Sequence, residues 1–82
     1  MKPAKIRRNL QQAEAHVRRA AEHIATQKRI VAELEASGHG TGIARDLLKT
    51  FEEVEQTHIA DRDRLASNLT EAEQQETKLA DG

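Results

Sequence analysis

The chain lacks several residue types that particular folds and activities require. Among its 82 residues there is no cysteine, tryptophan or tyrosine, and there is only one proline and one phenylalanine. Without cysteine, disulfides, thiol catalysis and thiolate zinc sites are excluded. No apolar run approaches the roughly 20 residues of a membrane-spanning helix, so we expect no contact with the membrane interior. The few bulky apolar side chains also argue against the broad core of a compact enzyme, and we expect no intrinsic catalysis.

The residues that are present favour long helices. Charged residues make up 33% of the sequence and nearly cancel, leaving a net charge of −1. Much of the remainder is Ala, Leu and Gln, which, like Glu, Lys and Arg, lose little conformational freedom in a helix. This composition predicts an all-α protein. The basic start, MKPAKIRRNLQQ, lacks the apolar stretch of a secretory signal, so the expected location is cytoplasmic.

Two heptad patterns divide the chain into two helices. In the first, spacings of four and three alternate, which predicts a packed seam interrupted only by Gln27; its apolar members are Ile6, Leu10, Ala13, Val17, Ala20, Ile24, Val31 and Leu34. The second is apolar at both ends and polar in the middle, and contains Leu48, Phe51, Glu55, His58, Arg62, Leu65, Leu69, Ala72, Glu76 and Leu79. We therefore predict one domain over residues 1–82, with a helix at 3–37, a turn at 38–41 and a helix at 42–79.

A short turn between two heptad helices predicts an antiparallel two-helix hairpin of the coiled-coil type. Folding the chain about residue 41 places Ile24 opposite His58 and Val31 opposite Phe51. The same register sets basic segments of one helix against acidic segments of the other: Lys28 and Arg29 against Glu52, Glu53 and Glu55, Arg18 and Arg19 against Asp61 and Asp63, and Lys5, Arg7 and Arg8 against Glu71, Glu73 and Glu76. Agreement between the apolar pattern and the charges favours this register.

The stretch ASGHGTG, at residues 36–42, holds three of the four glycines and could bind an anion through backbone N–H groups. A nucleotide-binding loop would need a preceding strand and a Lys-Ser/Thr pair after its last glycine, and here a helix precedes and Ile43 follows. A structural turn is the preferred interpretation. Gly38 would end the first helix in the left-handed conformation, Gly40 would ease the bend, and Thr41 would cap the second helix by accepting from a free backbone N–H.

Apolar residues outside the seam indicate a larger assembly. Ile30, Ile43, Leu47, Val54 and Ile59 widen the apolar stripes beyond what two helices can cover. A hairpin of this size also has little stability of its own. We therefore expect a homo-oligomer, most simply two hairpins that form a four-helix bundle through these five residues.

Three histidines raise the alternative of a small metal- or ligand-binding bundle. His16 and His23 lie seven residues apart on one helix face, and the expected register brings His58 close to His23. Together with Asp61, the pair His23 and His58 could bind zinc or another transition metal. No His-x-x-x-His pair occurs, however, and a polar layer that fixes the register of the seam is the preferred interpretation, with no metal and no cofactor.

The basic segment KPAKIRR raises a second alternative, a nucleic-acid accessory protein that contacts phosphate. In the expected register this segment pairs with the acidic end of the second helix instead. No aromatic side chain lies beside it for base stacking, so nucleic acid is not the expected partner.

About half of the chain, from His23 to Leu65, resembles a group of short, mostly proteobacterial helical-hairpin proteins. The shared motifs are Q-x-x-I-V-x-x-L-E, a G-H-x-T turn, A-R-x-L-L-x-x-F-E and H-x-x-D-R-D-R-L, which here comprise Gln27, Ile30, Val31, Leu34, Glu35, Gly38, His39, Thr41, Ala44, Arg45, Leu47, Leu48, Phe51, Glu52, His58, Asp61, Arg62, Asp63, Arg64 and Leu65. The resemblance implies a bacterial source and carries no activity with it. The function that the residues favour is structural: a self-associating hairpin that presents charged helix faces to a protein partner.

Overall fold

The protein is an antiparallel hairpin of two long helices, as the heptad patterns predict. The structure, a computed structural model, describes residues 2–81. Helix α1 spans Pro3–Ala36 and helix α2 spans Gly42–Asp81, so α1 ends one residue before its predicted end and α2 continues two residues beyond. The helices lie side by side in a particle of 69 × 14 × 13 Å. Within residues 2–81, neither helix contains a segment long and apolar enough to cross a membrane.

Helix α1 ends in a Schellman motif centred on Gly38. The Gly38 N–H donates to the carbonyl of Glu35 at 3.1 Å, and the His39 N–H donates to the carbonyl of Leu34 at 2.9 Å. Gly38 adopts a φ of +74°, the left-handed conformation that glycine tolerates best. These two bonds satisfy carbonyls that a helix end otherwise leaves free, so the motif stops α1 at a defined residue.

Arg45 joins the two ends of the turn. Its guanidinium forms an ion pair with Glu35 at the end of α1, and its Nε donates to the hydroxyl of Thr41 at 2.9 Å. The sequence had suggested a backbone N–H as the donor to this hydroxyl. The side chain of Arg45, one turn along α2, provides the hydrogen instead, so Thr41 links the turn to the first turn of α2.

The seam between the helices contains the residues that the heptads predict. The most buried of them are Ile6, Ala13, Ala20, Ile24, Gln27, Val31 and Leu65. Most of the other predicted apolar seam residues are half-buried: Leu10, Val17, Leu34, Leu48, Phe51, Leu69 and Ala72. The predicted seam extended too far along α2, because Glu76 is exposed and Leu79 is 81% exposed. Gln27, the one polar member of the buried set, donates from Nε2 to the carbonyl of Ala44 at 2.9 Å. This bond connects the helices near the turn and satisfies an amide that would be costly to bury alone.

The register of the hairpin differs from the predicted one. The ring centroid of His58 lies 5.2 Å from that of His16, whereas Ile24 was its predicted neighbour. The ring of Phe51 similarly lies 5.9 Å from the ring of His23. Both contacts fall eight residues earlier in α1 than predicted, whereas the ion pairs Arg7–Glu73 and Glu35–Arg45 fall only two residues earlier. Taken together, these contacts displace the helices by about one helical turn. A heptad seam places an apolar residue every three or four positions, so the pattern alone leaves a shift of one turn undetermined.

The turn decides between these registers. Residues 37–41 are the segment between the helices, and they are centred on residue 39 rather than on residue 41. The Schellman motif fixes the end of α1, and Gly42 begins α2. Because the turn is short, the positions of these two helix ends limit which residues of α1 and α2 can meet.

Most of the charge pairs predicted across the hairpin do not form. Arg7 and Glu73 do meet, at 3.8 Å, as predicted for the end of the hairpin far from the turn. Three of the other predicted partners pair within their own helix instead: Arg29 with Glu33 at 3.9 Å, Asp63 with Arg62 at 3.0 Å, and Asp61 with Arg64. Neighbours within a helix need no alignment of two helices, so charge matching was a poor guide to the register.

Candidate functional site

Four aliphatic side chains stand exposed near the turn. The exposed fraction is 38% for Ile30, 42% for Leu47, 44% for Val54 and 88% for Ile43. With 3.6 residues per helical turn, Leu47 and Val54 project from the same side of α2. Ile43 precedes Leu47 by about one turn and projects from that side too. An apolar stripe therefore runs along the exposed flank of α2.

A shallow apolar groove connects this stripe to α1. The groove has a volume of about 330 Å³, and its walls include Phe51 and Val54 from α2 and Ala20 and His23 from α1. Ile30 lies seven residues after His23 and so projects from the same side of α1. Both helices thus contribute to one surface, which we call the turn-proximal face: Ile30, Ile43, Leu47, Phe51 and Val54.

The structure separates Ile59 from the other residues expected at the oligomer interface. Ile59 follows Val54 by five residues, which places it about 140° further around α2. It is half-buried on the other side of the seam. The turn-proximal face therefore contains four of the five residues that the sequence analysis grouped together, with the half-exposed ring of Phe51 in addition.

The core under this face is thin. Even the most buried side chains, Ala13 and Ile6, keep 3% and 4% of their surface accessible, and no side chain in the described part of the chain falls below 2%. Two helices can enclose only a single layer of side chains, so one hairpin cannot cover apolar residues that lie beside its seam. The exposure of the turn-proximal face follows from this geometry.

Two histidines meet across the hairpin beside the turn-proximal face. The rings of His16 and His58 are tilted by 46°, with their centroids 5.2 Å apart. His16 is exposed and His58 is half-buried. His16 shares one helix side with His23, as the sequence showed, but its contact with His58 depends on the register and could not be read from spacing.

The metal site considered from the sequence is not assembled. His23 lies against Phe51, and Asp61 forms an ion pair with Arg64. Among the residues that the structure describes, no group of three or more His, Asp or Glu side chains is arranged to hold a metal ion. The neighbour of His58 across the hairpin is His16, so the histidine named from the sequence was the wrong member of the pair.

A further spacing in α2 escaped the sequence analysis. Glu55 and His58 form a Glu-x-x-His pair, the kind of pair that di-iron bundles use in two of their helices. Neither histidine of α1 has a glutamate three residues before it. One hairpin therefore holds only one such pair, and Glu55 remains part of the polar middle of the seam.

On the side that carries the turn-proximal face, the half of the hairpin far from the turn is polar. A groove of about 530 Å³ lies there, with Ile6, Ala13 and Leu65 at its base and polar side chains around them, including Asn9, Gln12, His16, Arg64, Asn68 and Gln75. The basic segment at the start of α1 adjoins this half, and there Arg7 faces Glu73. The groove is open and carries no apolar stripe like that of the turn-proximal face.

The two serine hydroxyls lie at the end of α1 and on the surface of α2. Ser37 donates its hydroxyl hydrogen to the carbonyl of Glu33 at 2.9 Å, within its own helix end. Ser67 is exposed on α2, and no histidine lies within a turn of it along the helix.

Comparison with known protein families, curated proteins and solved structures finds no match for this chain. The turn-proximal face and the His16–His58 pair are the two features that invite a functional explanation, and both lie on one side of the hairpin.

Proposed function

We propose that the protein is a structural element without catalytic activity, a helical hairpin that associates with a second copy of itself through the turn-proximal face. In this arrangement two hairpins form a four-helix bundle. The proposal rests on the exposed aliphatic side chains of Ile30 on α1 and of Leu47 and Val54 on α2. They lie beside a seam that is only one side chain deep, so one hairpin cannot bury them. A second pair of helices would cover this row and thicken the core.

The size of the hairpin is sufficient for such a contact. A stable protein interface buries about 800 Å² on each partner. The hairpin exposes 6185 Å² in total, so an interface of this size would take up roughly one eighth of its surface. Along α2 the face runs from Ile43 to Val54, three turns of helix, and α1 adds Ile30 beside it.

A second copy suits this face better than a charged partner does. All five residues of the turn-proximal face are uncharged. A twofold axis places the same patch on both partners, and an uncharged patch can meet itself without opposing like charges. Arg19, which lines the groove below this face, lies nearer the middle of α1, where it would remain at the wetter rim of the contact.

Assembly is tested by placing one positive charge in the face. Leu47→Lys and Val54→Lys should each weaken self-association by about 100-fold, because each would bury an unpaired ammonium group. The measurement is sedimentation equilibrium of wild type and both variants at micromolar concentration. Wild type is expected to sediment as a dimer and both variants as monomers.

Gln56→Lys provides the matched control. Gln56 is exposed, and it follows Val54 by two residues, which places it on the opposite side of α2. The substitution adds a lysine, as the test variants do, so it should leave the dimer intact. A wild-type chain that remains a monomer while melting cooperatively would disprove the proposal, as would equal weakening by Gln56→Lys and Val54→Lys.

A further inference from the structure

We propose that His16 and His58 form a two-histidine clamp for a divalent transition metal of the zinc, nickel and copper class. The clamp would tie α1 to α2 in the polar middle of the seam. It differs from the site considered from the sequence, because the structure replaces His23 by His16 as the partner of His58.

The distance between the two rings suits a shared metal ion. Imidazole nitrogens bind zinc at about 2.0–2.1 Å, and two imidazoles on one tetrahedral ion have ring centroids roughly 5 Å apart. The centroids of His16 and His58 are 5.2 Å apart, with the rings tilted by 46°. Neutral imidazole is a good ligand for zinc, copper and nickel, and the exposure of His16 leaves the pair open to solvent.

The charged side chains next to His16 and His58 neutralise each other. Asp61 and Arg64 line the groove that adjoins His16 and His58, and these two side chains form an ion pair. Because Asp61 is engaged in that pair, the clamp consists of the two histidines, and water would complete the coordination. Arg19 lines the groove on the side of the turn-proximal face.

The position of the clamp gives it a structural purpose. The middle of the α2 seam is occupied by Glu55, His58 and Arg62, all half-buried, so apolar contact between the helices is weakest there. A metal ion bound by one histidine from each helix would supply a link at that level. An ion that binds only the folded hairpin must raise its stability.

The experiment is thermal melting of the full chain with added zinc and with a chelator. At a zinc concentration about tenfold above the dissociation constant, the wild-type melting temperature should rise by roughly 5–10 °C. His16→Ala and His58→Ala should each abolish the rise. The matched controls are His23→Ala, one heptad away on the same side of α1, and His39→Ala in the turn, and both should keep it.

A direct binding measurement keeps the proposal testable if His58→Ala folds poorly. Zinc competition with a chromogenic chelator at 20 °C, on variants whose circular dichroism shows folded helices, should give one zinc per wild-type hairpin and none for His16→Ala. An unchanged wild-type melt, a rise that persists in His16→Ala, or a rise that is lost in His23→Ala would overturn the proposal. So would a doubling of mass that depends on zinc, because the clamp lies within one chain.

Discussion

At the scale of single residues, Gln27 shows how a polar group in an apolar seam can be accommodated. The heptad pattern marked Gln27 as the exception in α1, and only 6% of its surface is accessible. Its amide reaches the carbonyl of Ala44 on the other helix. A side chain of this kind favours the register in which its hydrogen bond can form, since a slide of the helices would leave the amide buried and unbonded.

Gln27→Ala should therefore lower the free energy of unfolding by about 1–2 kcal/mol, because it removes the hydrogen bond and leaves a gap in the seam. Urea denaturation measures the change. Gln11→Ala is the matched control, since Gln11 is exposed on the same helix and alanine is the better helix former. Similar losses in the two variants would show that the bond to Ala44 contributes nothing.

Gly38 is the second residue whose identity matters. Its φ of +74° strains any residue with a side chain, although an added Cβ would meet no atom within 4 Å. Gly38→Ala should cost about 1 kcal/mol, equivalent to a melting temperature lower by roughly 4–8 °C. Differential scanning calorimetry can resolve a shift of this size.

Gly40→Ala provides the comparison for this prediction. An added Cβ at Gly40 would also meet no atom within 4 Å, and Gly40 does not have a positive φ. The substitution should leave stability unchanged or raise it slightly, because alanine reduces the freedom of the unfolded chain. If Gly40→Ala cost as much as Gly38→Ala, the left-handed conformation could not be the cause.

At the scale of the helices, the two halves of α2 differ in character. Its apolar flank near the turn forms most of the turn-proximal face, whereas the middle of its seam is polar. A polar layer of this kind weakens packing but limits the number of registers that a heptad pattern permits. In this hairpin the polar layer and the turn together select one of the registers that the heptad pattern permits.

The polar layer leads to a prediction for His58→Leu. With a chelator present, this variant should be as stable as wild type or more stable by up to about 2 kcal/mol, because leucine packs better beside an apolar seam. Thermal melting tests the stability, and sedimentation should reveal a mixture of oligomeric states. A loss of more than about 1 kcal/mol under these conditions would show that His58 contributes to folding without metal.

At the scale of the whole molecule, the elongated shape of the hairpin limits its stability. A particle of 69 × 14 × 13 Å has a large surface for its volume, and its seam is one side chain deep. Small single-core proteins are marginal unless something else adds stability. The proposed dimer and the proposed metal clamp would each contribute, the first by covering apolar surface near the turn and the second by linking the helices further along. Both would act on the same side of the hairpin.

The sequence by itself determined the elements of this protein: two helices, their seam and the turn between them. Periodicity and composition are local properties, and the heptads, the glycine at the end of α1 and the absent cysteines can all be read without knowing which residues meet. It also identified four of the five residues of the turn-proximal face, because they lie beside the seam in each helix.

Only the tertiary structure decided the register, and with it which side chains of α1 and α2 meet. A heptad seam places an apolar residue every three or four positions and so permits a slide of one turn, and pairing depends on where the Schellman motif stops α1 and where α2 begins. That choice brings the ring of His16 to that of His58. Contacts between distant residues arise from the geometry of a short turn, and residue spacing within either helix does not contain that information.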